Sequence, residues 1–111
     1  MKEQTIDTFT CEICLGGNYD DALRICKEFC NKEGLCVTVS KTEFIYTGGQ
    51  ESGVIVRLVQ YPRFPKEKYE IENICFDLGC TLIEGLYQES ALIISPDETK
   101  WLTIDNYKGK G

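Results

Sequence analysis

An internal echo restricts the fold of this chain more than any other feature of its sequence. Ile25-Cys26 is followed by Gly34-Leu35-Cys36-Val37-Thr38, and Ile74-Cys75 is followed by Gly79-Cys80-Thr81-Leu82. Each copy reads as an amphipathic helix, a glycine stop, a cysteine and a strand-like run. A duplicated strand–helix–strand unit satisfies both copies, because each half can lay its helix on one shared sheet.

The elements around the echo fit that plan. In residues 6–15, Phe9, Cys11, Ile13 and Leu15 alternate with Thr8, Thr10, Glu12 and Cys14, the pattern of a strand with one apolar face. Gly16-Gly17 breaks it. Asn18 is placed to cap a helix, with Asp21 three residues on and Asp20 at the positive end of the helix dipole. Ala22, Ile25, Cys26, Phe29 and Cys30 form a buried helical stripe, and Gly34 suits a left-handed stop. Residues 35–46 read as a second strand. Leu35, Val37 and Val39 would face the helices, and Cys36, Thr38, Ser40, Thr42, Phe44 and Tyr46 would face away. The glycine-rich run 47–53 reads as a connection and residues 54–61 as a third strand. Tyr61-Pro62-Arg63-Phe64-Pro65 is a stiff loop that leads into a second helix, with Ile71, Ile74, Cys75 and Leu78 as its stripe. Gly79 is read as its end and residues 80–87 as a fourth strand. Residues 91–95 and 101–104 look like a further hairpin.

The order β-α-β-β-α-β predicts an α+β, ferredoxin-like fold: an antiparallel sheet with both helices on one face, plus a C-terminal β-hairpin. One domain is expected over residues 1–105, with 106–111 a short frayed tail.

Composition narrows the function classes. The formal net charge over 111 residues is −6, and the twelve Lys and Arg are scattered among the acids. Such a surface repels phosphate backbones, so nucleic-acid binding is not expected. The apolar runs are too short to span a bilayer, and no apolar run follows Lys2, so no membrane association is expected and a cytoplasmic location is. Seven cysteines, an odd number, suit free thiols in a reducing compartment. The chain has no histidine, which removes the usual general base and the commonest imidazole ligand. Catalytic residues cannot be named on this basis.

Cys11-Glu12-Ile13-Cys14 is a Cys-x-x-Cys that lies within a strand rather than opening a helix. Its two sulfurs would point to opposite faces, so neither a metal nor a cofactor is expected there. Cys26 and Cys75 read as small apolar packing on the two helices, as do Cys36 and Cys80 after the stop glycines. Cys14 and Cys36, on the uncovered face, are the thiols to test for reactivity.

That uncovered face is the candidate site. Glu12, Cys14, Thr38, Ser40, Thr42, Phe44, Tyr46, Arg57, Val59 and Tyr61 would share it. A face of hydroxyls, aromatics and one arginine suits self-association, a protein partner or a small acidic ligand. The loop carrying Gly48, Gly49, Gln50 and Gly53 could bring backbone amides to an anion, although it runs from strand to strand and lacks a lysine. The leading expectation is therefore a binding or assembly module. The alternative is a small enzyme with Glu12, Glu43, Tyr46, Arg57 and Tyr61 around a pocket. A third possibility is an inhibitor whose acidity mimics nucleic acid.

At Thr8-Phe9-Thr10-Cys11-Glu12-Ile13-Cys14, Leu35-Cys36-Val37-Thr38-Val39, Phe44-Ile45-Tyr46-Thr47-Gly48-Gly49 and Tyr61-Pro62-Arg63-Phe64-Pro65, the chain resembles a group of small uncharacterised proteins encoded by bacteriophages. The resemblance covers about residues 8–95. It implies a viral or prophage origin and an intracellular setting, and carries no activity with it.

Overall fold

A computed structural model describes residues 1–105; the expected tail, 106–111, lies outside the described residues. The elements are β1 (Thr10–Gly16), α1 (Tyr19–Glu33), β2 (Cys36–Tyr46), β3 (Gly49–Val59), α2 (Lys68–Gly85), β4 (Ser90–Ile94) and β5 (Thr99–Thr103). They form one five-stranded sheet in the order β2-β3-β1-β4-β5, with every neighbouring pair antiparallel. The first four strands give the expected ferredoxin-like arrangement, and β5 extends it at one edge.

The strand pattern sets which face is covered. Cys11, Ile13 and Leu15 of β1 pair with Leu58, Val56 and Val54 of β3, and all six are buried. With Ala91 and Ile93 of β4 they meet Ala22, Ile25 and Cys26 of α1 and Ile71, Cys75, Leu78 and Leu82 of α2 in one core. Burying a leucine such as Leu78 or Leu82 contributes about 1.5–3 kcal/mol. Both helices therefore lie on one side of the sheet, and the other side stays open.

The N-terminal strand begins at Thr10 rather than at residue 6. Phe9 is buried nonetheless. Asn18 caps α1, its side chain accepting from the Asp21 N–H at 3.0 Å. Gly34, with φ 68°, closes α1 by donating to the Cys30 carbonyl.

The larger correction concerns the second half. Residues 80–87, expected as the fourth strand, continue α2 as far as Gly85. The fourth strand is instead Ser90–Ile94, the first arm of the expected terminal hairpin. Gly79 does not end the helix, because it is buried in its interior. The echo between the two halves is thus real in the helices and absent after Gly79.

The glycine-rich run was also misplaced. Only Thr47 and Gly48 form the turn, and β3 starts at Gly49. Two aromatic rings of β2 lie across the glycines of the facing strand: a methyl group at Gly53 would come within 2.7 Å of the Phe44 ring, and one at Gly49 within 2.6 Å of the Tyr46 ring. Since β1 stops at the Gly16–Gly53 pair, the β2–β3 hairpin projects beyond the rest of the sheet. No helix among the described residues is long and apolar enough to cross a membrane.

Candidate functional site

The register divides the open face into two zones. In the first, Glu12, Arg57 and Thr38 form one cross-strand row, and Cys14, Ile55 and Ser40 form the next. This zone is a flat run of side chains across three strands. In the second zone, the projecting hairpin on one side and the segment from Tyr87 to β4 on the other enclose a cavity of about 690 Å³. That volume falls in the range of small-molecule sites.

The cavity floor is the end of β1. Gly16 is buried there, and a methyl group on it would lie 2.7 Å from Gln88 Oε1 and 3.0 Å from Glu51 Oε2. Both oxygens therefore overhang bare backbone, which only a residue without a side chain allows. The Gln88 amide is oriented by its own neighbour: Nε2 donates to the Leu86 carbonyl at 3.0 Å, which leaves Oε1 turned toward Gly16. Glu89 adds a second carboxylate to the wall, and among the described residues no lysine or arginine lines the cavity. Phe44, Tyr46, Tyr87 and Trp101 supply aromatic rings. A site with carboxylates, an amide oxygen and aromatic faces suits a cation joined to a flat ring system.

Cys14 also lines the cavity. Burial pushes its thiol above the ordinary value, and the charge of Glu12 adds to the shift. It is therefore a neutral, weakly nucleophilic thiol at neutral pH. Cys11, three residues away, points into the core, where Cys75 is held far above the ordinary value by its hydrogen bond to Cys11 and by burial. Among the described residues no three Cys, Asp or Glu side chains gather as a metal site.

Of the residues singled out from sequence, Phe44, Tyr46 and Cys14 come together in the cavity. Thr38, Ser40, Thr42, Glu12 and Arg57 share the face but stand outside the lining. Glu43 lies on the opposite side of the hairpin, where it accepts from Ser52 Oγ at 2.6 Å and from Gln50 Nε2 at 3.2 Å. Gly48 is at the hairpin tip, while Gly49, Gln50 and Gly53 belong to β3. Tyr61 lies beyond the end of β3, its ring centroid 6.1 Å from that of Phe64. The set Glu12, Glu43, Tyr46, Arg57 and Tyr61 is thus not assembled around one pocket. Glu51, Tyr87, Gln88, Glu89 and Trp101 were missed. The sequence did hold a signal for Glu51, which pairs with Phe44 and so shares its face.

No family model matches the chain, and no curated protein does. Two solved structures resemble it over nearly its whole length. One is a phage SAM lyase in its apo state, with a TM-score of 0.74, 18% identity and coverage of 97% of this chain and 99% of that one. The other is a phage SAM lyase in complex with S-methyl-5′-thioadenosine, with a TM-score of 0.62, 16% identity and coverage of 97% of this chain and 98% of that one. At this identity the likeness is one of fold, and it agrees with the α+β arrangement described above.

Proposed function

We propose that the chain binds S-adenosylmethionine in the cavity between the β2–β3 hairpin and the Tyr87–β4 segment, and cleaves it to methylthioadenosine. The observation that carries this reading is the chemistry of the lining among the described residues: Glu51, Glu89 and the Gln88 oxygen, four aromatic rings, and no basic group. S-adenosylmethionine joins a sulfonium cation to a purine, and each part finds its complement there. The two structural neighbours, both SAM lyases and one holding methylthioadenosine, support the same reading.

The proposed reaction needs no histidine. Release of methylthioadenosine breaks the bond between sulfur and the aminobutyrate carbon, and the electron pair of that bond neutralises the sulfonium. A lyase adds no water, so the freed carbon must find its partner within the substrate. Among the described residues no lysine or arginine lines the cavity to bind the substrate's own carboxylate. That carboxylate stays a free nucleophile beside the electrophilic carbon, and its oxygen closes a five-membered lactone as the carbon–sulfur bond breaks. The step consumes one positive and one negative charge, so transfer of the substrate from bulk water into the cavity favours such charge loss. Glu51 and Gln88 hold the sulfonium and thereby orient the bond that breaks.

The test is direct. Purified protein incubated with S-adenosylmethionine should yield methylthioadenosine and the four-carbon lactone in equal amounts, read by mass spectrometry. Glu51→Gln should weaken S-adenosylmethionine binding about tenfold and leave that of uncharged methylthioadenosine nearly unchanged. No product and no calorimetric binding of either compound would overturn the reading.

Self-association is a second reading, favoured by one feature. Ile45 at 79% exposure and Trp101 at 60% leave large apolar surface around the cavity mouth, the kind of patch that a second copy of the chain covers. Light scattering of Ile45→Glu against wild type tests it; a monomeric wild type would dismiss it.

A further inference from the structure

Among the described residues, Tyr87 is the one non-glycine with a positive φ, 57°. It follows α2, whose C-cap is Leu86. The Gln88 N–H donates to the Ile83 carbonyl at 2.9 Å, and the Tyr87 N–H to the Glu84 carbonyl at 3.3 Å. These two bonds define a Schellman turn, and Tyr87 stands at the position where glycine is usual, because a Cβ there is strained.

Contacts among the described residues do not explain the strain. Tyr87 is 93% exposed, more than any other aromatic residue described, so its ring packs against almost nothing. The turn nevertheless fixes its neighbours in the site: Gln88 aims its oxygen at the floor, and Glu89 and Ser90 continue the wall. Strained backbone of this kind concentrates at ligand clamps, where the surrounding structure imposes it. Here it holds an uncommitted aromatic ring at the rim of a cavity.

We propose that Tyr87 is the aromatic cap of the site, a specificity-determining residue that stacks on the adenine of the bound nucleoside and covers it from solvent. This rests on the reading of the cavity as an S-adenosylmethionine site. The sulfonium belongs beside Glu51 and Gln88, over the buried Gly16, which leaves the purine for the rim where Tyr87 stands. Bases stack on tyrosine irrespective of charge. The cap therefore acts on methylthioadenosine as it does on the sulfonium compound.

Methylthioadenosine is accordingly the probe, since it carries the adenine and no positive charge. Calorimetry should show Tyr87→Phe binding it as wild type does, and Tyr87→Gly binding it about tenfold more weakly. The thermal midpoint of Tyr87→Gly should hold or rise by a few degrees, because glycine relieves the turn. Equal binding by wild type and Tyr87→Gly would overturn the cap alone, whereas no binding by wild type would overturn the cavity reading and the cap with it. A fall in the thermal midpoint of Tyr87→Gly, or a change in its mass by light scattering, would assign the ring a structural or subunit role and overturn the cap.

Discussion

The two helices start from nearly the same sequence plan and end in different ways. α1 stops at Gly34, whose φ of 68° lets its N–H close on the Cys30 carbonyl. α2 runs past its matching Gly79 and turns only at Tyr87, whose φ is 57°. The difference lies in what surrounds each glycine. The nearest atom to a methyl group at Gly34 would be Phe64 Cδ1 at 3.9 Å, so nothing crowds that site and its backbone angle decides its role. At Gly79 the same methyl group would lie 3.2 Å from both Ile93 Cδ1 and Leu102 Cδ1. Gly79 is small because the β4–β5 hairpin packs on it, and its helical conformation is incidental to that. One residue type serves a turn in one place and a close approach in the other.

Substitution should separate these roles. Gly79→Leu forces a side chain between α2 and the hairpin and should cost about 3 kcal/mol, the upper end for overpacking a core. Gly34→Leu has room for its side chain but meets the left-handed penalty, and should cost about 1–2 kcal/mol. Urea unfolding of the two variants checks the order. If Gly34→Leu proved the worse, the assignment of roles would be reversed.

The matched thiols sharpen the same comparison through pH. Cys26 of α1 is buried, and that burial, with the proximity of Cys30, pushes its thiol up to about 12. The native state therefore holds the proton while the unfolded chain releases it at the ordinary value of 9.0. This contribution to stability is present in full below that ordinary value and is lost as pH rises from there toward the native one. Each pH unit in that window costs about 1.4 kcal/mol per thiol, so raising pH from about 9 to 11 should remove about 2–3 kcal/mol on account of Cys26. Cys75 is raised as well, but first by its hydrogen bond to Cys11 and only second by burial. Cys26→Ala should flatten the alkaline slope of the urea midpoint. Cys75→Ala should flatten it while also freeing Cys11 from its partner. Equal slopes in wild type and Cys26→Ala would contradict the assignment.

These contrasts explain what could be read from residues alone. The alternation of Cys11, Ile13 and Leu15 and the stripe of Ala22, Ile25 and Cys26 are local signals, and both the antiparallel sheet and the one-sided helices follow from them. The end of α2 was hidden because a tertiary contact keeps Gly79 small and because tyrosine fills the turn. That single misreading turned residues 80–87 into a strand, and it concealed Tyr87, Gln88 and Glu89. The cavity suffered twice, since the glycine-rich run 47–53 looked like a loop and so hid Glu51 within β3. Phe44 and Tyr46 were legible because strand alternation places them directly. Arg57 is the basic group that pointed to an acidic ligand, and the register places it in the flat zone with Glu12 and Thr38, away from the carboxylates of the cavity.

The helix starts give the smallest contrast and a check on the whole comparison. At α1, the Asn18 side chain accepts from the Asp21 N–H at 3.0 Å, satisfying one of the donors that the first turn leaves open. At α2, the Glu70 carboxylate reaches back to the Glu67 N–H at 3.0 Å, and Lys68 ties the same turn to Asp97 of the β4–β5 loop. α2 thus begins with two exposed polar anchors, and α1 depends on its cap. Asn18→Ala should cost about 1 kcal/mol, and Glu70→Ala about 0.5 kcal/mol, since the Lys68–Asp97 pair keeps the turn in place and an exposed pair contributes in that range. The double variant Glu70→Ala with Asp97→Ala should then approach the cost of Asn18→Ala, as read by urea unfolding. If Glu70→Ala alone already matched Asn18→Ala, the second anchor would have no role, and the start of α2 would be as dependent on one bond as that of α1.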